Sequence, residues 1–290
     1  MKKIFHYFLE ILPPKVSIQL RYFYNLRQFV NFRNPRTFSE KLQWLKIYNK
    51  DPKYTMMVDK YLVKDYVSKV IGIEHIIPTY GVWDSPDSID WNKLPQKFVL
   101  KTTHAGGSSG VVICVDKNKI DKSETISKLQ KSYMTDSYAI SKEWPYKNVQ
   151  RRIIAEQLLE STSQNEIPDY KWYCFNGEPK YCQVIKDRTT KETIDFFDVN
   201  WNHQEFIGLN TNVGNADVVP QKPERLDVQL SIARKLSRGL PFSRIDLYEV
   251  DGKVYFGEIT FFPLSGMGKF VPNVYNRLLG DMLELPLECK

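Results

Sequence analysis

The sequence predicts an α+β fold, and three observations carry that reading. Apolar runs of strand length are joined by tight turns such as Asn176-Gly177 and Asp251-Gly252, capped amphipathic segments lie between them, and the strand–helix alternation of a parallel βαβ series is missing. At 290 residues, with 42% hydrophobic and 26% charged residues, the chain can bury a sizeable core in one to three structural units.

The elements follow in order. Met1-Lys2-Lys3 leads into the apolar run Ile4–Leu12, and after Pro13-Pro14 a basic and aromatic segment continues through Phe32. Residues 1–32 read either as helix packed on the protein body or as a peripheral contact with an anionic membrane surface. The apolar run is too short, and too soon followed by Pro-Pro and charge, for a secretory signal. Thr37 and Glu40 have capping-box spacing, so a helix begins there, with Leu42, Leu45 and Tyr48 at helical intervals. A second helix is expected over Tyr54–Val70, with Met57, Tyr61 and Val67 on its apolar side, ended by Gly72. Ile76–Trp83 is extended, and Asp84–Pro95 is polar and turn-rich.

Phe98–Lys101 is a strand, Thr102–Gly110 a glycine-rich loop, and Val111–Val115 the returning strand. Asp121 caps a helix to about Met134, with Glu124 in capping-box position. The strand Ile153–Ala155 ends at Glu156–Glu160, and a polar loop over 161–168 leads to Lys171–Phe175, which turns back through Asn176-Gly177 into Pro179–Ile185. Val228–Ser237 is helical, and strands carrying Asp246 and Glu258 flank Asp251-Gly252. There is no internal repeat and no low-complexity tract.

With 41 basic and 34 acidic residues the formal charge is +7, which favours anionic partners such as nucleotides, phosphosugars, acidic glycans or anionic lipid. Lys and Arg are scattered and no zinc-finger or RNP-like motif occurs, so nucleic acid is not an expected partner. Cys114, Cys174, Cys182 and Cys289 have no metal-ligand spacing, and two of them sit in apolar strand patterns. This cysteine usage, and the lack of an 18-residue apolar run, lead us to expect a cytoplasmic protein, peripheral at most to the inner face of the plasma membrane. His6, His75 and His203 have no ligand spacing, and no serine stands in a Gly-x-Ser-x-Gly elbow, so neither a zinc site nor a hydrolase triad is expected. The six tryptophans read as core or interface residues.

Three constellations carry chemistry. In the loop, Gly106, Gly107 and Gly110 let main-chain N–H groups approach phosphates, Ser108 and Ser109 add hydroxyls, and His104 or Lys101 adds positive charge. The bland reading is a flexible hairpin turn, and no P-loop lysine follows the last glycine. At Glu156–Glu160, apolar residues beside an exposed backbone edge can hold a purine, with a carboxylate on ribose hydroxyls; an ordinary strand end is the alternative. Finally, Asp246 and Glu258 offer oxygen ligands to magnesium, Arg244 shares a strand face with Asp246, and Thr260 shares one with Glu258. The alternative is a solvated hairpin face with Arg–Glu pairing.

The order of these pieces resembles the ATP-grasp fold: Asp59-Lys60, then Phe98–Lys101, the glycine-rich loop, Ile154–Leu158, Arg244-Ile245-Asp246 and Glu258–Pro263. Phe38–Trp44, Ile77–Trp83 and Lys101–His104 look more closely like the TupA-like ATP-grasp proteins of bacterial surface-polysaccharide and teichuronopeptide synthesis, over about residues 35–275. The resemblance implies two α+β lobes clasping ATP, a helical N-terminal region over 1–58, an N-terminal part over 59–152 and a C-terminal metal-site lobe over 153–290. It places ATP on Lys60, Lys101, His104, Gly106, Gly107, Ser108, Ser109, Gly110, Glu156, Gln157, Leu158 and Asp169, and Mg2+ on Asp246, Glu258 and Thr260. Arg244, with Lys101 and His104, would act on the reacting phosphate. The implied activity is carboxylate–amine ligation through an acyl phosphate, joining an amine such as an amino acid to a uronate or other glycan carboxylate. A sugar kinase, a non-catalytic nucleotide- or glycan-binding module and a glycosyltransferase are the alternatives. Thr260 departs from the family's Glu-x-Asn pattern and leaves the number of metals open, and the region before Lys60 is short for a full preceding domain.

Overall fold

The computed structural model describes residues 2–107, 109–162, 166–188 and 190–286, with side chains from Tyr7 onward. Ser108 and Cys289 therefore lie outside the described residues. In chain order the elements are α1 (Lys2–Ile11), α2 (Pro14–Leu26), α3 (Phe38–Tyr48), α4 (Lys53–Val58), α5 (Leu62–Ile71), β1 (Thr79–Trp83), β2 (Phe98–Thr102), β3 (Val111–Cys114), α6 (Lys122–Tyr133), α7 (Ser137–Ser141), β4 (Ile153–Glu156), β5 (Asp169–Phe175), β6 (Glu178–Lys186), β7 (Thr193–Asp198), β8 (His203–Gln204), β9 (Ile207–Leu209), α8 (Leu226–Ser237), β10 (Phe242–Val250), β11 (Lys253–Thr260), β12 (Lys269–Val271) and α9 (Val274–Met282). The fold is α+β in two lobes: Asp51–Glu160 is one, and Met1–Lys50 with Ser161–Lys290 is the other.

The smaller lobe is built on an antiparallel sheet ordered β1-β4-β2-β3. Phe98, Leu100, Ile153 and Ala155 point from it into a core closed by Leu129 of α6. The expected cap at Asp121 is present, accepting from the Glu124 N–H at 2.9 Å. The expected lobe boundary at 152/153 and the contacts differ, because β4 is hydrogen-bonded between β1 and β2 and so belongs with the strands before it. The boundary expected at 58/59 likewise falls inside this lobe.

The single helix expected over 54–70 is two helices, broken at Asp59-Lys60-Tyr61. The Asp59 carboxylate causes the break: Oδ1 accepts from the N–H groups of Tyr61 (2.9 Å) and Leu62 (3.1 Å), capping α5 from within the pattern, while Oδ2 receives Arg152 Nη2 at 2.9 Å. Apolar periodicity runs straight through such a break and cannot register it.

Among the described residues, the larger lobe carries an antiparallel sheet ordered β11-β10-β5-β6-β7-β8 and a short pair, β9 with β12. Two hairpins turn where the sequence places them: Asn176-Gly177 and Asp251-Gly252 both take positive φ at both positions, as a two-residue turn between twisted strands requires. One sheet face is apolar and takes α8, where Trp172 Nε1 donates to Gln229 Oε1 at 3.0 Å and both side chains are fully buried. The capping box of Thr37 and Glu40 is formed and starts α3 on Phe38, whose ring meets Phe242 edge-on at 5.0 Å. Such an aromatic pair adds about 1 kcal/mol beyond its buried area. Cys114, Cys174 and Cys182 are free and buried. Among the described residues no helix is long and apolar enough to cross a membrane.

Candidate functional site

In the smaller lobe, the β2–β4 register sets Val99 opposite Glu156 and Lys101 opposite Ile154, so Lys101 and Glu156 share a face. Lys101 Nζ lies 2.6 Å from Glu156 Oε2, and Lys64 of α5 pairs with Oε1. Burial opposes ionisation of Glu156, but Lys101 and Lys64 together hold its carboxyl below the usual value. The same burial pushes the Lys64 ammonium down, against the pull of Glu156. The carboxylate expected on a ribose is thus occupied by two lysines, one of which sequence reading missed. Lys64 could have been found four residues after Lys60, on the same helical pattern. Beyond it, the Gln157 N–H donates to Pro78 O at 2.9 Å; Gln157 is exposed and Leu158 half-buried.

Lys60 sits in the helix break. Its N–H donates to Thr103 O at 3.1 Å and its Nζ to Ala105 O at 2.5 Å, so it holds the entry to the glycine-rich loop. Thr102 N donates to Gly110 O at 3.0 Å, closing the loop at its base. Gly106, Gly107 and Ser109 are exposed, whereas His104, Ala105 and Gly110 are buried. The glycines consequently do different work. Gly107 has φ +72° with open space around it, and a Cβ on Gly106 would come no nearer than 3.9 Å to Tyr146 Oη. A Cβ on Gly110 would collide with Thr102 Oγ1 and Ser132 Oγ, which bond each other at 2.9 Å. His104 stands edge-on to Tyr133 at 6.0 Å, and neither ring nitrogen has a partner at bonding geometry, although the Ser132 and Tyr133 backbone lies alongside. Burial, then Arg151 and Lys60, push its pKa down and keep the ring neutral. His104, expected as a phosphate donor, is therefore a buried neutral ring.

In the larger lobe, strand pairing collects the predicted residues on the face opposite α8. Arg244 is opposite Thr260 and Asp246 opposite Glu258 across β10–β11, while Lys171 and Tyr173 of β5 face Asp246 and Arg244 from the other side. A bulge at Gly257 sets this register, and a Cβ there would lie 3.0 Å from Asp246 O. Arg244 reaches Asp246 with Nε on Oδ1 and Nη2 on Oδ2, both 2.6 Å, and its Nη2 also meets Glu258 Oε1 and Thr260 Oγ1 at 3.1 Å. Thr260 Oγ1 donates to Glu258 Oε1 at 2.9 Å. Lys171 bridges Asp246 and Asp169, and Arg188 Nη2 lies 2.7 Å from Asp169 Oδ2, while Asp169 Oδ1 is buried without a partner.

Burial works against a charged Arg244, but the carboxylates of Asp246 and Glu258 hold its pKa above the ordinary value. Burial leaves the Asp246 carboxyl above its usual value, against the opposing pull of Arg244 and Lys171. Several charge-assisted contacts on one carboxylate favour its ionised form against that burial. Lys171 and Arg188 escaped sequence reading, although Asp169-x-Lys171-x-Tyr173 alternates polar groups on one strand face.

Among the described residues no group of three or more His, Cys, Asp or Glu lies together as a metal cluster. The donors offered by Asp246, Glu258 and Thr260 are all oxygen, which suits a hard cation that also takes phosphate and water. Arg244 and Lys171 already occupy Asp246, whereas Glu258 is 35% exposed, so Glu258 is the more available donor. A cavity of about 810 Å³ in this lobe is lined by Tyr170, Val184 and Glu249 among others and by none of the predicted site residues. Tyr170 and Val184 pair on the opposite face of the sheet, so the cavity is separate from this cluster.

An α+β chain with this order of lysines, glycine-rich loop and acidic hairpin has the features of an ATP-grasp-type ligase. The family model described as TupA-like ATPgrasp matches residues 40–284, and the chain belongs to that family. A search of curated proteins finds no match. Among solved structures, the chain is similar to D-alanine–D-alanine ligase from Bacillus anthracis (17% identity, TM-score 0.44, 84% of this chain and 67% of that one). It is also similar to the same enzyme from Helicobacter pylori (16%, 0.43, 85% and 69%) and to the ATP-grasp ligase PsnB (12%, 0.39, 77% and 57%). The chain thus spans about two thirds, or less, of the length of these structures.

Proposed function

We propose that this ATP-grasp ligase joins a carboxylate to an amine through an acyl phosphate, the carboxylate belonging to a uronic acid or similar group of a bacterial surface glycan and the amine to an amino acid. The strand face that gathers Arg244, Glu258 and Thr260 around the buried Asp246, within the family pattern, is the observation that carries this reading. In the smaller lobe, Lys60 and Lys101 would bind ATP phosphates, and the N–H groups of the exposed residues Gly106, Gly107 and Ser109 would line them. His104, being buried and neutral, would hold the loop in place and make no contact with phosphate. Glu156 would orient Lys101, leaving Gln157 and Leu158 for the base. In the larger lobe, the unpartnered Asp169 Oδ1 suits a ribose hydroxyl.

Asp246, Glu258 and the Thr260 hydroxyl would hold a magnesium ion, which when bound neutralises phosphate charge. The substrate carboxylate oxygen attacks the γ-phosphorus and the bond to ADP breaks; Arg244 stabilises the charge that develops on the transferred group. The amine then attacks the acyl carbon, phosphate leaves with the carbon–oxygen bond electrons, and the amine proton passes to solvent. The net charge of +7 suits an acidic glycan.

The test is mass spectrometry of acceptor products after incubation with ATP, magnesium, amino-acid pools and uronate-containing glycans. The reading predicts a condensation mass and phosphate release that depends on the amine. Phosphorylated acceptor with ADP release indifferent to amine would make the protein a kinase. Nucleotide or glycan binding without turnover would make it a binding module, and transfer from a sugar nucleotide a glycosyltransferase.

A further inference from the structure

The helix α2 is apolar on two sides. One side carries Ile18 and Tyr22, both fully buried with Val30 in a core cluster of the larger lobe. The other carries Val16, Phe23 and Tyr24, spaced i, i+7 and i+8, and all three are exposed. A helix covering a water-soluble lobe ordinarily turns a polar face outward. The ring of Phe29, 62% exposed, stacks on Phe23 at 4.8 Å and 15°, which widens the patch. On α1, Tyr7, Phe8 and Ile11 are also exposed, while Leu9 is buried, and Ser17 Oγ donates to Leu9 O at 2.7 Å to hold the two helices together.

Charge decides what this surface fits. Between Tyr7 and Arg36 the exposed cations are Lys15, Arg27, Arg33 and Arg36, against the single acid Glu10, while Arg21 is half-buried with its Nε on Ser17 Oγ. The Arg27 guanidinium lies 5.9 Å from the centre of the Tyr24 ring, so cation and aromatic are presented side by side. A second copy of the chain would set these cations against their own like. A neutral apolar partner would leave them unpaired.

We infer that the α1–α2 face docks on the surface of an anionic lipid bilayer, with Phe23, Phe29 and the α1 apolar residues at the headgroup boundary and the arginines on lipid phosphates. Helices of this length lie in the interface and do not cross it. A cation near an anionic leaflet raises partitioning roughly fivefold, so a patch of this size gives reversible attachment. The inference goes beyond the ligase reading and does not rest on it.

The full chain is to be sedimented with vesicles of phosphatidylcholine alone and with about one third phosphatidylglycerol, across a salt series. Binding to the anionic vesicles only, falling as salt rises, is expected. The pair Phe23→Ser with Phe29→Ser, and separately Arg33→Glu, should each lower partitioning by about tenfold, with circular dichroism and dispersity unchanged. Equal binding to both vesicle types, or no binding to either, would overturn the inference. So would variants that bind like the parent, or a parent dimer that the patch variants convert to monomer, since a second copy would then cover the face.

Discussion

Arg244 holds Asp246 from two positions away on the same strand, with both carboxylate oxygens engaged at 2.6 Å. With Lys171 on the same carboxylate, Asp246 is a charge that the buried Lys171 and the half-buried Arg244 need for their own stability. A substitution there tests folding as well as chemistry. Asp246→Asn is expected to cost about 3 kcal/mol because it strands buried charges, and to abolish ATP-dependent phosphate release. Glu258→Gln removes a carboxylate that is 35% exposed and is expected to keep the parent's urea midpoint while activity falls at least about tenfold. If Glu258→Gln turned over like the parent, the magnesium assignment would fail.

Glu156 makes the smaller lobe sensitive to acid. Lys101 and Lys64 keep its folded pKa below the ordinary 4.5 in spite of burial, so the stabilisation is full above that value and is lost as pH falls through the lower folded one. Glu156→Gln should destabilise the protein by about 3 kcal/mol at pH 7, since it leaves two half-buried lysines unpaired. The gap between variant and parent should narrow as the pH drops below 4.5. Urea denaturation at pH 7 and below 4.5 measures both; a gap independent of pH would show that the carboxylate is not what the lysines recognise.

The loop glycines should separate. Gly110→Ala forces a Cβ into the Thr102–Ser132 hydrogen bond and is expected to lower stability by about 2 kcal/mol. Gly106→Ala has room and should leave the melting temperature unchanged while weakening nucleotide binding through the narrowed approach to its N–H. Paired thermal melts and nucleotide titrations of the two variants are the measurement.

Asp59 joins three things at once: the cap of α5, the Arg152 ion pair and the backbone position of Lys60. Asp59→Ala should cost about 3 kcal/mol, mostly from leaving Arg152 unpaired. Asp59→Asn keeps a capping oxygen and should recover about 1 kcal/mol of that. ATP affinity should fall in both variants, because Lys60 reaches the loop only from the break that Asp59 maintains; unchanged affinity would detach Lys60 from the site.

The chemistry-bearing residues were legible because their signals are local. Arg244-x-Asp246 and Glu258-x-Thr260 alternate with period two, so a strand must put each pair on one face; Asn176-Gly177 and Asp251-Gly252 mark turns by residue type; Thr37 and Glu40 mark a helix start by spacing. What could not be read was pairing at a distance. Lys64 meets Glu156 from another element, Lys171 meets Asp246 from a strand 75 positions earlier, and Arg152 meets Asp59 across 93 residues. The strands β7, β8, β9 and β12 lacked a clear pattern of their own and are defined by their neighbours in the sheet.

The sequence by itself determined the α+β class, the capped helices and tight turns, and the family to which the chain belongs, since those depend on propensity, periodicity and the order of short motifs. Only the tertiary structure decided how the charges are shared: that Glu156 answers to two lysines, that Asp246 is held by Arg244 and Lys171, and that His104 is buried and neutral. Ionisation and partnership are set by burial and by which strands lie side by side, and neither is a property of neighbours along the chain.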